Sequence, residues 1–227
     1  LALEPCSGGM VVTDPNNGDV LACVSYPGFD NNRLTNTMEA DYYSQLLNDN
    51  ARPMYSRATQ EKTAPGSTLK PLVGMAGLCE HVISTSPSNT ISCTGVYTKV
   101  SNHPKCWVFT QRGGSHGSEN LIEAIKDSCN CYFYEVGFRL GSTGDGLSNE
   151  SGLEKLAKYA AMFGLGDKSG LETEESEPQI SDETIVPSAI GQGSHNYTVS
   201  QIARYVTTIA NGGTCYNLSL LDKVTDS

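Results

Sequence analysis

The chain has 227 residues, enough for one globular domain with a buried core. Hydrophobic residues make up 38% of the sequence and 23 residues are glycine, which indicates an ordinary globular protein with many turns. The formal net charge of −10 argues against a nucleic-acid partner, because proteins that bind a phosphate backbone need a basic surface. No run of about 18 apolar residues occurs and no signal peptide is visible. We expect the chain to be cut from a longer protein.

The first part of the chain predicts a hairpin, a connection and a buried helix. Alternating apolar residues on either side of a turn predict a β-hairpin within residues 1–30. Residues 27–62 are polar and predict an irregular connection, with one short helix at 38–47. Apolar residues at helical spacing then predict a helix within residues 63–81, and this helix is apolar enough to be buried.

The second part predicts helices separated by loops. Residues 84–120 are rich in Gly, Ser, His and Pro and predict a loop, whereas helical periodicity returns over 121–163 with a break at 127–130. A strand is predicted at 215–221.

Two capping boxes mark helix starts in this part. Ser151 with Glu154 predicts the start of a helix that ends near Phe163, and Thr198 with Gln201 predicts the start of a helix over 198–211.

A hydroxyl and an amine lie three residues apart at the start of the first buried helix. Pro71 lacks a backbone N–H and is tolerated in an opening turn, so we expect the helix to begin near Ser67. Residues three apart are neighbours on a helix face, about 5–6 Å between Cβ atoms, so the Lys70 amine is expected to reach the Ser67 hydroxyl. A base that takes the hydroxyl proton makes serine a nucleophile, and N–H groups at a helix start stabilise an oxyanion. Ser-x-x-Lys alone is not specific, because chance gives about one in a chain of this length.

Eight cysteines are many for a domain of this size, yet no CxxC pair occurs and the pattern is not that of a small disulfide scaffold. Cys23 and Cys79 lie in apolar stretches and are predicted to be core residues. The eight are Cys6, Cys23, Cys79, Cys93, Cys106, Cys129, Cys131 and Cys215.

Two motifs in a fixed order carry a family resemblance. Ser67-Thr68-Leu69-Lys70 followed by Ser128-Cys129-Asn130 resembles the motif pair of penicillin-binding proteins and serine β-lactamases. The surrounding sequence resembles class B penicillin-binding proteins, and most closely their elongation-type, penicillin-binding protein 2 branch. The segments that carry this resemblance are Asp14-Pro15, Ser25-Tyr26-Pro27, Arg57-Ala58-Thr59-Gln60, Pro65-Gly66 before the first motif, Tyr132-Phe133-Tyr134 after the second, Phe163-Gly164-Leu165-Gly166 and Ile190-Gly191-Gln192-Gly193.

The resemblance implies an α+β transpeptidase fold, in which an antiparallel sheet is flanked by helices and joined to an all-helical subdomain. It implies a D,D-transpeptidase that forms an acyl-enzyme with D-Ala-D-Ala stem peptides of peptidoglycan and is trapped by β-lactams. Ser67 would be the nucleophile and Lys70 its base. Ser128 would relay a proton to the leaving amine, and Asn130 would bind a substrate carbonyl. No cofactor is implied for catalysis.

The family's third motif, Lys-[Ser/Thr]-Gly on a strand that lines the site, is missing from its expected place. Lys168-Ser169-Gly170 fits the letters, but it follows Phe163-Gly164-Leu165-Gly166, where the family has a loop, so we interpret it as a chance match. The true motif is expected beyond Ser227, and the fragment alone is expected to hold an incomplete active site.

Three cysteines and a histidine form a second constellation between and within the two motifs. Cys93, Cys106, His116 and Cys129 have the residue types of a tetrahedral zinc site, although their long spacings make the pattern weak. Some relatives carry a metal site in this loop, so the resemblance implies a structural zinc. A metal would order a long loop and hold the residues beside Cys129.

Three other interpretations of this constellation stay open. Cys93 and Cys106 could form a disulfide, Cys129 could be a core residue, or Cys131 could be the fourth ligand. Trp107 is predicted to be a packing anchor, and His103 and His195 to lie on surface loops.

The resemblance also implies a location and partners. The protein would lie on the outer face of the bacterial cytoplasmic membrane, anchored by a helix that this chain lacks, and would work with the cell-wall elongation machinery. A β-lactam sensor is an alternative of another class, and a β-lactamase or D,D-carboxypeptidase is a third hypothesis.

Overall fold

The computed structural model describes residues 7–35 and 38–225. Cys6 and the rest of residues 1–6, which the hairpin prediction includes, lie outside the described part. The chain divides into two compact units, each assembled from separate stretches. Unit 1 comprises Leu1–Thr63, Phe163–Pro178 and Tyr197–Ser227, and unit 2 comprises Ala64–Met162 and Gln179–Asn196.

The described residues contain α-helices and three two-stranded antiparallel sheets. The strands are β1 (Gly8–Thr13), β2 (Val20–Tyr26), β3 (Ile91–Cys93), β4 (Gly117–Glu119), β5 (Ser142–Thr143) and β6 (Gly146–Leu147). The helices are α1 (Ala40–Asn48), α2 (Lys70–Cys79), α3 (Trp107–Arg112), α4 (Leu121–Lys126), α5 (Asn130–Leu140), α6 (Asn149–Met162), α7 (Ile185–Ser188) and α8 (Val199–Ala210). Short 3₁₀ helices cover Asn31–Leu34 and Gly66–Leu69. No helix within the described ranges combines the length and apolar character needed to span a membrane.

Unit 1 is built on the hairpin of β1 and β2 and on α8, which packs against β1. The hairpin register pairs Gly8 with Tyr26 and shifts between Val12 and Thr13. The predicted capping box at the start of α8 is present, since Thr198 Oγ1 accepts from the Gln201 N–H and the Gln201 side chain accepts from the Thr198 N–H. Two orphan donors of the first helical turn are thereby satisfied.

A buried carboxylate ties the loop 163–178 of unit 1 to the start of α8. Glu175 is 5% exposed and accepts four hydrogen bonds. Two come from the N–H and hydroxyl of Ser169, at 2.9 and 3.0 Å, and two from the hydroxyls of Thr198 and Ser200, at 3.2 and 2.6 Å. These bonds replace the water that the carboxylate loses on burial.

Replacing Glu175 with alanine is expected to lower the free energy of unfolding by about 2–3 kcal/mol, because four buried donors lose a charged acceptor. Chemical denaturation followed by circular dichroism measures the effect. Glu174→Ala is the matched control, since Glu174 is exposed and should change stability by less than about 0.5 kcal/mol. Equal effects of the two variants would contradict this role of Glu175.

Unit 2 is organised around α5, which contacts α2, α6, α7 and β3. Tyr132, Phe133, Val136 and Leu140 are fully buried, so the helix presents apolar side chains to several neighbours. Gly137 lies against Ala189 and the backbone of α7, and a Cβ there would come within 2.7 Å of the Ala189 Cβ. The two helices α4 and α5 are separated at residues 127–129, where the sequence pattern predicts a break.

Several local predictions are wrong. Residues 84–120 contain β3, α3 and β4, because β3 and β4 pair over three residues at the ends of this segment and α3 follows Cys106. Helix α6 begins before Ser151, since the Ser148 hydroxyl accepts from the Ser151 N–H and caps the helix three residues earlier.

Other corrections concern single residues and the last predicted strand. Residues 215–221 form no strand, although Ser219 is bonded to the hairpin, where the Val20 N–H donates to the Ser219 carbonyl at 2.8 Å and the Ser219 N–H donates to the Gly18 carbonyl at 3.3 Å. Cys79 is exposed and Cys23 half-exposed, so neither is a core residue. His195 is buried rather than on the surface, and its Nδ1 accepts from the Ser181 N–H at 3.1 Å.

Candidate active site

Ser67 lies in the 3₁₀ turn that leads into α2, as its place before Pro71 predicts. The residue is exposed, while Leu69 and Lys70 on the same turn are buried. The turn is held by a backbone hydrogen bond of 3.0 Å from the Gly66 N–H to the Gly191 carbonyl. Gly66 has a φ of +56° and Gly191 a φ of +72°, and a Cβ at residue 191 would overlap the Gly66 carbonyl oxygen. Gly66 therefore requires glycine for its positive φ, and Gly191 requires it both for its positive φ and for its close approach to the Gly66 backbone.

Lys70 is the centre of the site. Its side chain is 2% exposed, and Nζ donates to the Ser128 carbonyl at 2.7 Å, the Ser128 hydroxyl at 3.0 Å and Asn130 Oδ1 at 2.7 Å. An ammonium group has three N–H donors, so this set of acceptors matches its capacity. Burial lowers the pKa of Lys70 to about 8, and nearby Cys106, Cys129 and Glu119 oppose that shift. The amine is thereby brought within reach of the neutral, basic form near physiological pH.

Ser128 and Asn130 are positioned by the break between α4 and α5. The Ser128 N–H donates to the Ile125 carbonyl and the Cys129 N–H to the Ala124 carbonyl, at 3.2 and 2.9 Å, which close the end of α4. Asn130 is the first residue of α5, so its side chain leaves from a rigid helix. Ser128 has a φ of +51°, a left-handed conformation that is uncommon for a residue with a Cβ.

The structure brings three of the four predicted catalytic residues into direct contact. Lys70 joins Ser128 and Asn130, but no hydrogen bond links the Ser67 hydroxyl to Lys70 or to any other residue that the structure describes. The direct Ser67–Lys70 bond predicted from helical spacing is thus replaced by bonds to residues 128 and 130. Ser67 nevertheless lies three residues before Lys70 on the turn that leads into α2, one helical turn from it.

The Cys/His constellation assembles in unit 2. The candidate ligand atoms of Cys93, Cys106, His116 and Cys129 all lie within 4.8 Å of one another. His116 Nδ1 is 3.8 Å from Cys93 Sγ and 3.5 Å from Cys106 Sγ. All three cysteines are buried and free, so the Cys93–Cys106 disulfide is not formed. Cys131 is also buried and free but does not belong to this group of four.

Two further residues lie beside this cluster; the sequence gives no signal for Glu119, and for Trp107 it predicts only a packing role. Glu119 ends β4 and is 3% exposed, with neither carboxylate oxygen hydrogen-bonded to any described residue, although Oε2 lies 4.0 Å from His116 Nδ1. Burial raises the pKa of Glu119. Trp107 contacts His116 with ring centroids 5.5 Å apart and donates from Nε1 to the Asp127 carbonyl at 3.1 Å. Only its position after Cys106 hints at a role in the sequence.

Lys168-Ser169-Gly170 has structural contacts within unit 1. Ser169 is fully buried and bonded to Glu175, and Lys168 pairs with Glu177 at 2.9 Å. Neither side chain presents a free group of the kind a third catalytic motif supplies.

Comparisons with known proteins agree with these motifs. A family model described as the penicillin binding protein transpeptidase domain matches residues 8–227. The peptidoglycan D,D-transpeptidase MrdA of Haemophilus influenzae is 34% identical over 93% of this chain and 32% of that protein, and MrdA of Escherichia coli K12 is 29% identical over 90% of this chain and 32% of that protein. The chain therefore spans about a third of the length of these relatives.

Solved structures show the same fold. Penicillin-binding protein 2 of Helicobacter pylori superposes with a TM-score of 0.78 at 27% identity, covering 93% of this chain and 40% of that one. Penicillin-binding protein 2 of Pseudomonas aeruginosa in complex with WCK 5153 gives 0.81 at 26% identity, covering 96% and 49%. A ceftriaxone acyl-enzyme complex of penicillin-binding protein A from Mycobacterium tuberculosis gives 0.76 at 25% identity, covering 95% and 47%. The α+β transpeptidase fold is confirmed, and the chain belongs to the penicillin-binding protein transpeptidase domain family, with penicillin-binding protein 2 among its relatives.

Proposed function

We propose that this chain is the acyl-transfer part of a D,D-transpeptidase that cross-links peptidoglycan and is acylated by β-lactams. The observation that carries the proposal is the buried Lys70 amine, which bonds Ser128 and Asn130 one turn from the exposed Ser67. Family membership supplies the reaction class, and the side chains supply the groups that this reaction needs.

Acylation begins with the neutral Lys70 amine taking the proton of the Ser67 hydroxyl. The Ser67 oxygen then attacks the carbonyl between two D-Ala residues, and the Ser67 N–H stabilises the tetrahedral oxyanion. Asn130 orients the donor peptide through its amide. Ser128 passes the proton from Lys70 to the departing D-Ala nitrogen, so the C–N bond breaks and an ester to Ser67 remains.

Deacylation runs the same steps with a different nucleophile. The amine of a neighbouring stem peptide attacks the ester, its proton returns through Ser128 and Lys70 to the Ser67 oxygen, and a new peptide bond forms. A β-lactam enters as a strained amide, and its ring-opened acyl group stays attached because its leaving nitrogen cannot depart. The β-lactam acyl-enzyme complexes solved for a similar protein support the proposal that β-lactams acylate this chain.

The test uses the complete protein with a D-Ala-D-Ala stem peptide and an acceptor amine. Mass spectrometry is expected to find released D-Ala together with a cross-linked peptide. Release of D-Ala with hydrolysed peptide alone would indicate a carboxypeptidase, and fast opening of a chromogenic cephalosporin would indicate a β-lactamase. A lasting penicillin adduct without any turnover of peptide would indicate a sensor. Each of these three outcomes would overturn the transpeptidase proposal.

We also propose that Cys93, Cys106, His116 and Cys129 hold a structural zinc ion. Zinc–sulfur bonds of about 2.3 Å and zinc–nitrogen bonds of about 2.0–2.1 Å at a tetrahedral centre separate sulfur and nitrogen by about 3.6 Å. The S···N distances of 3.8 and 3.5 Å fit that edge length. A zinc ion would also supply positive charge beside the buried Glu119 carboxylate, whose oxygens accept no hydrogen bond from the described residues. It would clamp the 84–120 segment to residue 129, between Ser128 and Asn130.

Elemental analysis of purified protein is expected to give about one zinc per chain. Changing Cys93 and Cys106 to serine should reduce the zinc content to near zero, because two thiolate ligands are lost. Cys23→Ser is the control, since Cys23 belongs to unit 1, and it should keep its zinc. A native protein that folds and binds penicillin while free of metal would contradict the zinc proposal and leave the transpeptidase proposal intact.

We further propose that the complete protein lies outside the cytoplasmic membrane, anchored to it, and works with cell-wall elongation proteins. One of the similar structures is a complex between penicillin-binding protein 2 and MreC from Helicobacter pylori. That complex is formed by the H. pylori protein, and the 26% sequence identity of that protein to this chain supports the proposal.

A further inference from the structure

Ser128 adopts a backbone conformation that its own chemistry does not favour. Its φ of +51° places it in the left-handed region, where a Cβ crowds the following carbonyl. Such a conformation persists only when surrounding contacts determine it. The orientation of the Ser128 hydroxyl toward Lys70 depends on this backbone, so the contacts that hold the preceding peptide bond also set the catalytic geometry.

The peptide bond between Asp127 and Ser128 is held at both ends. The Asp127 carbonyl and the Ser128 N–H belong to one rigid plane, so fixing two of its atoms fixes the rotation about Asp127 ψ and Ser128 φ. The Ser128 N–H donates to the Ile125 carbonyl at 3.2 Å. At the other end, the Asp127 carbonyl lies at the end of α4, where carbonyls have no partner within the helix. Trp107 Nε1 donates to it at 3.1 Å.

The indole that makes this contact is itself fixed. Trp107 is the first residue of α3 and follows the buried Cys106. Its ring lies against the His116 ring, with centroids 5.5 Å apart and planes at 56°. The indole thus contacts the Cys/His cluster through its ring and the peptide bond that precedes Ser128 through one hydrogen bond.

We propose that Trp107 is a positioning residue for Ser128, acting through its indole N–H rather than through ring packing alone. This hydrogen bond stops the 127–128 peptide plane from rotating and keeps the Ser128 hydroxyl and the Asn130 amide on Lys70. Its effect on acylation rests on the proposed function, whereas its effect on the backbone of residues 127–129 does not.

Stop-codon suppression at residue 107 places tryptophan analogues at this position alone in the complete protein. Benzothienylalanine replaces the indole N–H with sulfur and keeps the ring shape, and 5-fluorotryptophan keeps the N–H and is the matched control. Trp107→Phe is a second variant without the donor. The readouts are amide hydrogen exchange of residues 127–130 and of α6, the acylation rate with a fluorescent penicillin, and the drug concentration at half-maximal rate, all measured on the complete protein.

Loss of the N–H is expected to speed exchange at Ser128 and Cys129 by about tenfold, the effect of one hydrogen bond, with α6 unchanged. The maximal acylation rate should fall by about tenfold, and the half-saturating concentration should stay within about twofold. The 5-fluorotryptophan protein should behave like the native one.

Native exchange at 127–130 in the benzothienylalanine protein would overturn the proposal. Equal loss of protection in α6 and at 127–130 would also overturn it, because the ring would then serve only general packing. If the native protein is not acylated at all, the transpeptidase proposal fails, while the exchange data still decide whether the indole N–H holds the backbone.

Discussion

Replacing Ser67 with alanine is expected to abolish covalent labelling by penicillin, because the substitution removes the oxygen that forms the ester and leaves the fold of the turn unchanged. Ser67 is exposed and its hydroxyl has no hydrogen bond to a described residue, so stability should change by less than about 0.5 kcal/mol. Intact mass spectrometry of the complete protein after incubation with a fluorescent penicillin measures the adduct. The native protein should gain one penicillin per chain and the variant none.

Ser92→Ala is the matched control for this experiment. Ser92 is an exposed serine on β3 in the same unit, and its loss should leave labelling at the native level. A stoichiometric adduct that persists in Ser67→Ala would assign the nucleophile elsewhere. Peptide mapping of that adduct would then identify the acylated residue.

Replacing Lys70 is expected to slow acylation by about 10³-fold, the contribution that a general base typically makes. Lys70→Arg separates the base from the charge. An arginine keeps a cation that can donate to Ser128 and Asn130, but it cannot be deprotonated in a protein. We therefore expect Lys70→Arg and Lys70→Met to be about equally slow in stopped-flow acylation, and an arginine variant near the native rate would show that only the positive charge matters.

The pH dependence of the native protein provides a second measurement on the same group. The pKa of Lys70 is lowered to about 8 by burial, and the neutral amine is the base. The acylation rate should therefore rise with pH through a midpoint near 8 and level off above it. In Lys70→Arg this rise should disappear, because arginine does not titrate in the range.

The sequence predicts helix starts and breaks where residues close together in the chain determine them. Pro71 places the start of α2, Thr198 and Gln201 place the start of α8, and the break at 127–130 separates α4 from α5. The helix start at Ser151 is wrong because the Ser148 hydroxyl accepts from the Ser151 N–H and caps the helix three residues earlier, and periodicity does not distinguish two serines three residues apart. Cys79 is predicted to be buried because its sequence neighbours are apolar. It is exposed because it is the last residue of α2, where the helix end no longer faces the core.

Tertiary contacts limit what the sequence predicts about the site. Helical spacing correctly puts Lys70 and Ser67 on one turn, but the acceptors of Lys70 are on residues 128 and 130, and only the family resemblance joins those segments in advance. In residues 84–120, β3 and β4 form because the two ends of the segment pair with each other. Strands of three residues are too short to show an alternating pattern, so the sequence does not predict this long-range pairing. The contacts of Trp107 with Asp127 and of Glu119 with His116 are likewise tertiary, so the sequence does not predict them.

The hydrogen bond between Gly66 and Gly191 joins two segments that are far apart in the sequence and are therefore synthesised at different times. The turn carrying Ser67 is synthesised before α6, whereas the backbone that holds it comes from a segment translated after α6. While the protein is being made, the nascent chain therefore lacks one support of its reactive serine. Drug sensitivity should accordingly appear late in biogenesis, after residue 191 has joined the fold, rather than as soon as both catalytic motifs have been translated.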